Sequence, residues 1–330
     1  MIPHYVSLIH GIGDEKPGFN RGLKKNIQKR FVHALEELKN SVPSLSHERF
    51  TVDSVVVREI VWSDLTQNDQ DCLWRRLYPK LPKKRFGWLE LLGEPGAWIP
   101  RLRYLAFFRQ FVLNYFGDPI SYVPKGYQYI RIHKRLYGEF TQLHKEIQSR
   151  QNDERAFVTV VAHSLGSVIA SDWIYDMFNK LNGKDWPPQV CLANFFTFGS
   201  PLALYMLREG VDKNNFSSPI TMQEPEGLWI NIYDRQDILG YPLKNLNGKD
   251  GAYDHAVFAD LEITAGQWWN PWHWLIGLTP LSHVLYWKDD FVAEMIGRKT
   301  ALDWVRANYS KLESDLASHY SAYQSWIQRP

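Results

Sequence analysis

The sequence lacks the marks of several protein classes. Its two cysteines, Cys72 and Cys191, belong to no CxxC or zinc-like pattern, so we expect reduced thiols, as in intracellular proteins, and no metal site. The net charge of +2 is nearly balanced and gives no reason to expect a nucleic-acid partner.

Long hydrophobic runs are also absent. No uncharged apolar stretch approaches the roughly 20 residues that a membrane-spanning helix needs. The N-terminal stretch MIPHYVSLIHGIGD has neither a basic n-region nor a small-residue cleavage site, so no signal peptide is predicted. These absences predict a cytoplasmic protein and leave peripheral contact with a membrane surface as an open alternative.

Aromatic residues, in contrast, are abundant. They form 15% of the chain, include 14 tryptophans and concentrate in segments 86–118 and 268–278. We predict that the first segment belongs to a helical, aromatic-rich cap insertion over residues 65–125, and the second to a lid loop over residues 265–282. Contact with lipid, packing of the cap on the core and a dimer interface are the alternatives for these aromatics, and the oligomeric state stays open.

Outside the insertion, strand and helix patterns alternate along the chain. Short apolar runs with strand character begin near residues 5, 51, 155, 190, 227 and 256. Apolar residues at helical spacing predict helices over 22–39 and 127–149. The alternation predicts a single α/β domain over residues 1–330 with a mostly parallel sheet flanked by helices.

One serine stands at a sharp junction between a predicted strand and a predicted helix. Ser164 lies in AHSLG, residues 162–166, a small-x-Ser-x-Gly pattern typical of a nucleophile elbow. Small residues on both sides allow the tight turn, and the helix N-terminus favours developing negative charge. The alternative is a serine that only caps the helix.

A nucleophilic serine needs a base and an acid, which the chain offers further on. Of two aspartates after the strand near 227, Asp237 is predicted as the acid, and Asp234 as a turn-capping residue. His283 is predicted as the base in preference to His255, at the start of a strand, and His273, inside the tryptophan cluster. Serine, aspartate and histidine then follow the chain order of an α/β-hydrolase triad.

Residues for the oxyanion hole and for substrate binding are predicted near two glycine-containing turns. The backbone N–H groups of Ile12, in HGIGD, and of Leu165 are the expected oxyanion donors. Additional substrate contacts are expected from the following residues: His10, Gly11, Trp268, Trp269 and Trp272.

Five motifs together, LIHGIGD, VVAHSLGSVIASDWIYDM, FTFGSPLAL, YDRQDIL and SHVLYW, resemble the α/β-hydrolase superfamily on its lipase and esterase side. The resemblance extends from the N-terminus to about residue 290 and implies an acyl-enzyme mechanism without a metal or organic cofactor. Ala162 replaces the usual first glycine of the elbow. The chain departs from the family pattern in two further ways. The first strand begins at residue 4, so we expect a sheet without the usual leading strands, and the insertion over residues 65–120 has no motif that aligns with the family, so the substrate class stays open.

The expected activity is hydrolysis of carboxylic esters, with an acyl ester or lipid as substrate. The tryptophans near 268–274 would form the rim of the site, where an apolar ring with one polar N–H suits a lipid–water boundary. The alternatives are a broad carboxylesterase for small soluble esters, an acyltransferase with the same triad and a non-catalytic binding protein.

Overall fold

The structure is a computed structural model in which the chain forms two compact units. It describes residues 1–11, 18–77, 119–150, 155–180, 186–187, 189–209, 220–266, 270–272, 275 and 280–328. The first unit comprises Met1–Gly11, Pro17–Ile60 and Leu136–Pro330, and the second comprises Ile12–Lys16 and Val61–Arg135.

The first unit contains a six-stranded sheet in which every neighbouring pair is parallel. The strands are β1 (His4–Ile9), β2 (Val55–Ile60), β3 (Ala156–His163), β4 (Val190–Phe198), β5 (Leu228–Tyr233) and β6 (Val257–Glu262). Their order across the sheet is β2-β1-β3-β4-β5-β6. The predicted α/β class and mostly parallel sheet are therefore confirmed.

The central strands align the ends from which the candidate site projects. Strands β1, β3 and β4 are buried along their whole length, as expected for parallel strands covered on both faces. Their register places Ile9, Ala162 and Thr197 side by side. The segments that follow these three strands therefore emerge next to one another.

Helices follow most of the strands along the chain. They are α1 (Arg21–Lys39), α2 (Ser63–Leu77), α3 (Tyr127–Arg150), α4 (Leu165–Tyr175, continued by the π-helical turn Asp176–Lys180), α5 (Leu202–Glu209), α6 (Ala252–Ala256), α7 (Asp290–Asn308) and α8 (Glu313–Ile327). The helices predicted over 22–39 and 127–149 are confirmed as α1 and α3. The strand predicted to begin near residue 51 begins at Val55 instead, because Val52–Ser54 forms a 3₁₀ turn before β2.

An extended apolar core lies between one face of the sheet and helices α1, α7 and α8. Val6 and Leu8 of β1 share this core with Phe31 of α1, Ile296 of α7 and Tyr323 of α8. The apolar stripe of α1 recurs every three to four residues, which is why one helical face is buried while the other meets water.

A polar cluster lies inside this otherwise apolar region. Lys299 and Asp303 of α7 are both buried and form an ion pair of 2.6 Å. Asn194 donates to Asp303 at 2.6 Å and to Thr159 at 3.0 Å, and the ring Nε2 of His4 is 2.8 Å from the Thr159 hydroxyl. These hydrogen bonds connect α7 to the central strands β1, β3 and β4. Few other polar groups are present in the core to compete for the same donors and acceptors.

Candidate active site

Ser164 occupies the turn between β3 and α4 in a backbone conformation that residues other than glycine rarely adopt. Its φ is 53° and its ψ is −133°, and such strained residues persist only where the surrounding structure holds them. Its backbone N–H donates to the carbonyl oxygen of Phe198 at 3.0 Å, which attaches the turn to the end of β4. The turn thus has the geometry of a nucleophile elbow.

Two glycines allow this turn to approach β1. A Cβ added at Gly166 would lie 2.2 Å from the carbonyl oxygen of His10. A Cβ added at Gly11 would lie 2.5 Å from the Cβ of Ser164 and 3.1 Å from its hydroxyl oxygen. Both glycines are therefore required by close backbone approach.

The structure brings Ser164, His283 and Asp237 into one hydrogen-bonded series. Nδ1 of His283 is 2.9 Å from Oδ1 and 2.8 Å from Oδ2 of Asp237. Because an ionised carboxylate only accepts, Nδ1 carries the proton, and Nε2 is left to accept from the Ser164 hydroxyl at 2.8 Å. A neutral imidazole in this tautomer is oriented to take the serine proton.

Asp237 is held in the ionised form by several donors. Burial acts to raise the pKa of this carboxyl, but hydrogen bonds from His283, the Leu239 backbone N–H and the Tyr286 hydroxyl outweigh it, so the pKa lies below its usual range. Gly199 keeps this corner open, since an added Cβ there would lie 2.9 Å from the Asp237 carboxylate and 3.0 Å from Nδ1 of His283.

The carboxylate of Asp234, the other aspartate considered, has a structural role. Its carboxylate accepts from the backbone N–H of Gln236 at 2.8 Å and from that of Ala265 at 2.8 Å, and thereby joins the end of β5 to the segment after β6. His255 lies in the short helix α6 with its side chain exposed, and His273 is outside the described residues.

The other predicted site residues are only partly described. Leu165 is the first residue of α4, so its N–H has no acceptor within the helix and can serve a developing oxyanion. His10 is buried and its Nδ1–H donates to the Gly11 carbonyl at 2.7 Å. Trp272 is 73% exposed. Three predicted residues fall outside the described part of the chain: Ile12, Trp268 and Trp269. Much of the predicted cap (78–118) and lid (267–269, 273–274 and 276–279) lies outside it as well.

Sequence reasoning missed two side chains that contact the triad. Tyr286 donates to Asp237, and His163 donates through Nε2–H to the backbone carbonyl of His283 at 2.8 Å. Tyr286 lies three positions after His283 in the motif SHVLYW, and His163 lies immediately before Ser164 in AHSLG. Both motifs were singled out for other residues. The periodicity that predicts strands and helices carries no information about which neighbour a polar side chain will contact.

No cluster of three or more metal-binding side chains occurs in the described part of the chain. Within the same residues, no helix combines the length and apolar character required to cross a membrane. No model of a known protein family and no curated protein sequence matches the chain.

Proposed function

We propose that this chain is a serine hydrolase of the α/β-hydrolase kind that cleaves carboxylic esters through Ser164, His283 and Asp237. The observation that carries the proposal is the series of hydrogen bonds from the Ser164 hydroxyl to Nε2 of His283 and from Nδ1 to Asp237. The strained turn at Ser164 and the parallel sheet around it support the same family.

In the proposed reaction, the Ser164 oxygen attacks the ester carbonyl while its proton passes to Nε2 of His283. Asp237 stabilises the resulting imidazolium, and the Leu165 N–H stabilises the oxyanion. His283 then gives the proton to the leaving alcohol, and an acyl-enzyme remains on Ser164. Water, activated by His283, releases the acid and restores the serine.

For the substrate we propose an ester with an apolar acyl chain. Apolar side chains are exposed on described segments that follow β4, follow β5 or precede His283. They are Leu204, Leu207, Ile238, Trp272 and Leu275. Exposed apolar groups on segments that follow these strands or precede His283 would favour an oily substrate, because transfer of its chain from water onto them is favourable.

The test is hydrolysis of p-nitrophenyl esters from acetate to palmitate, and of phospholipid vesicles, with labelling by a fluorophosphonate. Ser164→Ala is compared with Ser171→Ala, a serine on the same helix α4. We expect activity and labelling to vanish only in Ser164→Ala, and the rate to rise with chain length.

Activity confined to short chains would replace the lipid with a small soluble ester. Transfer of the acyl group to an added alcohol in preference to water would identify an acyltransferase. Equal labelling of the wild type and Ser164→Ala, or none of either, would contradict the proposal.

A further inference from the structure

His163 joins the strand that carries the nucleophile to the backbone of the proposed base. It is the last residue of β3, directly before Ser164. Its Nε2 lies 2.8 Å from the carbonyl oxygen of His283, and a carbonyl only accepts, so Nε2 carries the proton. The two imidazole rings also contact each other, with centroids 4.7 Å apart.

The His163 ring is enclosed by aromatic side chains. Phe198, Trp287 and Tyr286 lie with ring centroids 5.4, 5.3 and 5.9 Å from it. Burial is the main cause of a pKa well below the ordinary value, and the neighbouring His283 lowers it further. His163 therefore stays neutral and adds no positive charge beside the imidazolium that His283 would become.

The backbone of His283 needs such an anchor. The residue lies in the five-residue 3₁₀ segment Pro280–Val284, and short 3₁₀ segments have poorer hydrogen-bond geometry than α-helices. Asp237 orients the ring but does not hold the main chain. Strand β3, in contrast, is paired with β1 on one side and β4 on the other, so its last residue is a firm attachment point.

We propose that His163 is a positioning residue that sets the distance between the Ser164 hydroxyl and Nε2 of His283 by holding the His283 carbonyl. Because His163 and Ser164 are adjacent in the chain, any shift of the end of β3 moves the nucleophile and the anchor of the base together. The benefit to catalysis rests on the proposed function, whereas the anchoring itself does not.

Two variants separate the hydrogen bond from the packing. His163→Phe keeps a ring among the aromatic neighbours but has no donor, and His163→Gln has an amide N–H at about the position of Nε2. His163→Met, which also lacks a donor, replaces the phenylalanine variant if that variant folds poorly. Thermal unfolding establishes that each variant is folded before it is compared with the wild type.

Two readouts are made on the whole protein. One is the rate of fluorophosphonate labelling of Ser164 as a function of pH. The other is the downfield proton NMR signal of Nδ1–H of His283, which requires the contact with Asp237 but no catalysis. In the donor-free variant we expect labelling to slow about tenfold or more across the pH profile, with broadening or loss of the NMR signal. In His163→Gln, both should return to within about threefold of the wild type.

Wild-type labelling and an unchanged NMR signal in folded His163→Phe would overturn the proposal. So would a glutamine variant as impaired as the phenylalanine variant, because the hydrogen bond would then not be the cause. If the wild type fails to label while the NMR signal responds as expected, the proposed function is wrong and the positioning role stands.

Discussion

The Tyr286 hydroxyl lies 2.9 Å from Oδ2 of Asp237 and donates to it. The same hydroxyl accepts from the backbone N–H of Asp234 at 2.8 Å. Burial and the nearby Asp237 charge raise the pKa of Tyr286, so the hydroxyl stays protonated and remains a donor. Tyr286 therefore fixes the carboxylate to the end of β5, through the same oxygen that lies 2.8 Å from Nδ1 of His283.

We predict that Tyr286→Phe lowers ester turnover about tenfold, the equivalent of about 1.4 kcal/mol, and the free energy of unfolding by about 1–3 kcal/mol. The cause is the loss of one donor to a charged acceptor and of the acceptor for Asp234 N–H. Tyr233→Phe is the control, because its hydroxyl meets Glu262 at an exposed site. Equal turnover in the wild type and Tyr286→Phe would contradict the prediction.

Asp237→Asn should reduce turnover by about 10³–10⁴-fold, because an amide no longer favours the His283 tautomer with the proton on Nδ1. Asp234→Asn loses an acceptor for Gln236 or Ala265 instead. It should cost about 1–2 kcal/mol of unfolding free energy, with turnover of the folded protein retained. Steady-state kinetics and urea unfolding on both variants measure the two effects, and a reversed pattern would make Asp234 the acid.

Gly166→Ala should destabilise the fold by about 2–3 kcal/mol, because the new methyl group would lie 2.2 Å from the His10 carbonyl oxygen. Gly138→Ala in α3 meets no atom within 4 Å. It should be neutral or stabilise by about 0.5–1 kcal/mol through helix propensity. Urea unfolding compares the two, and equal effects would show that the elbow tolerates a side chain at this position.

Asp303→Ala should lower the free energy of unfolding by about 3–5 kcal/mol, since it leaves Lys299 buried without its anionic partner. Glu36→Gln breaks the exposed pair with Lys39, which spans 2.8 Å, and should cost at most about 1 kcal/mol. Chemical denaturation measures both values. A cost for Asp303→Ala no larger than that for Glu36→Gln would refute the role assigned to the buried pair.

Because His4 is buried, we predict that the folded protein loses stability at acidic pH. Burial lowers the pKa of His4 from 6.5 to about 4, so between these values the unfolded chain binds more protons than the folded one. The stability that neutral His4 contributes is fully present above pH 6.5 and is lost as the pH falls toward 4. This amounts to about 2 kcal/mol by pH 5.

Unfolding free energies of the wild type and His4→Gln at pH 7.5 and pH 5 test this expectation. The difference between the two pH values should be smaller in His4→Gln, because the glutamine does not titrate. Identical differences in the two proteins would mean that His4 is not the source of the acid sensitivity.

Local patterns in the sequence determined the α/β class, the bounds of helices such as α1 and the sharp turn around Ser164. Each of these depends on periodicity, on turn residues or on small residues within a few positions. The order of the strands and the faces that they bury depend on pairings between distant segments, which periodicity does not encode. The boundary of β2 differed from expectation because Val52–Ser54 forms a 3₁₀ turn at the start of the segment predicted as a strand.

The sequence by itself also determined which residues could act as nucleophile, acid and base, because motif chemistry and chain order restrict the choice to a few side chains. Only the tertiary structure decided which of them meet. Ser164 and His283 are 119 residues apart in the chain but are joined by a hydrogen bond of 2.8 Å. The contacts of His163 with His283 and of Tyr286 with Asp237 likewise form only because these distant segments pack together. Parallel strands carry their following segments to one edge of the sheet, and packing there selects the partners.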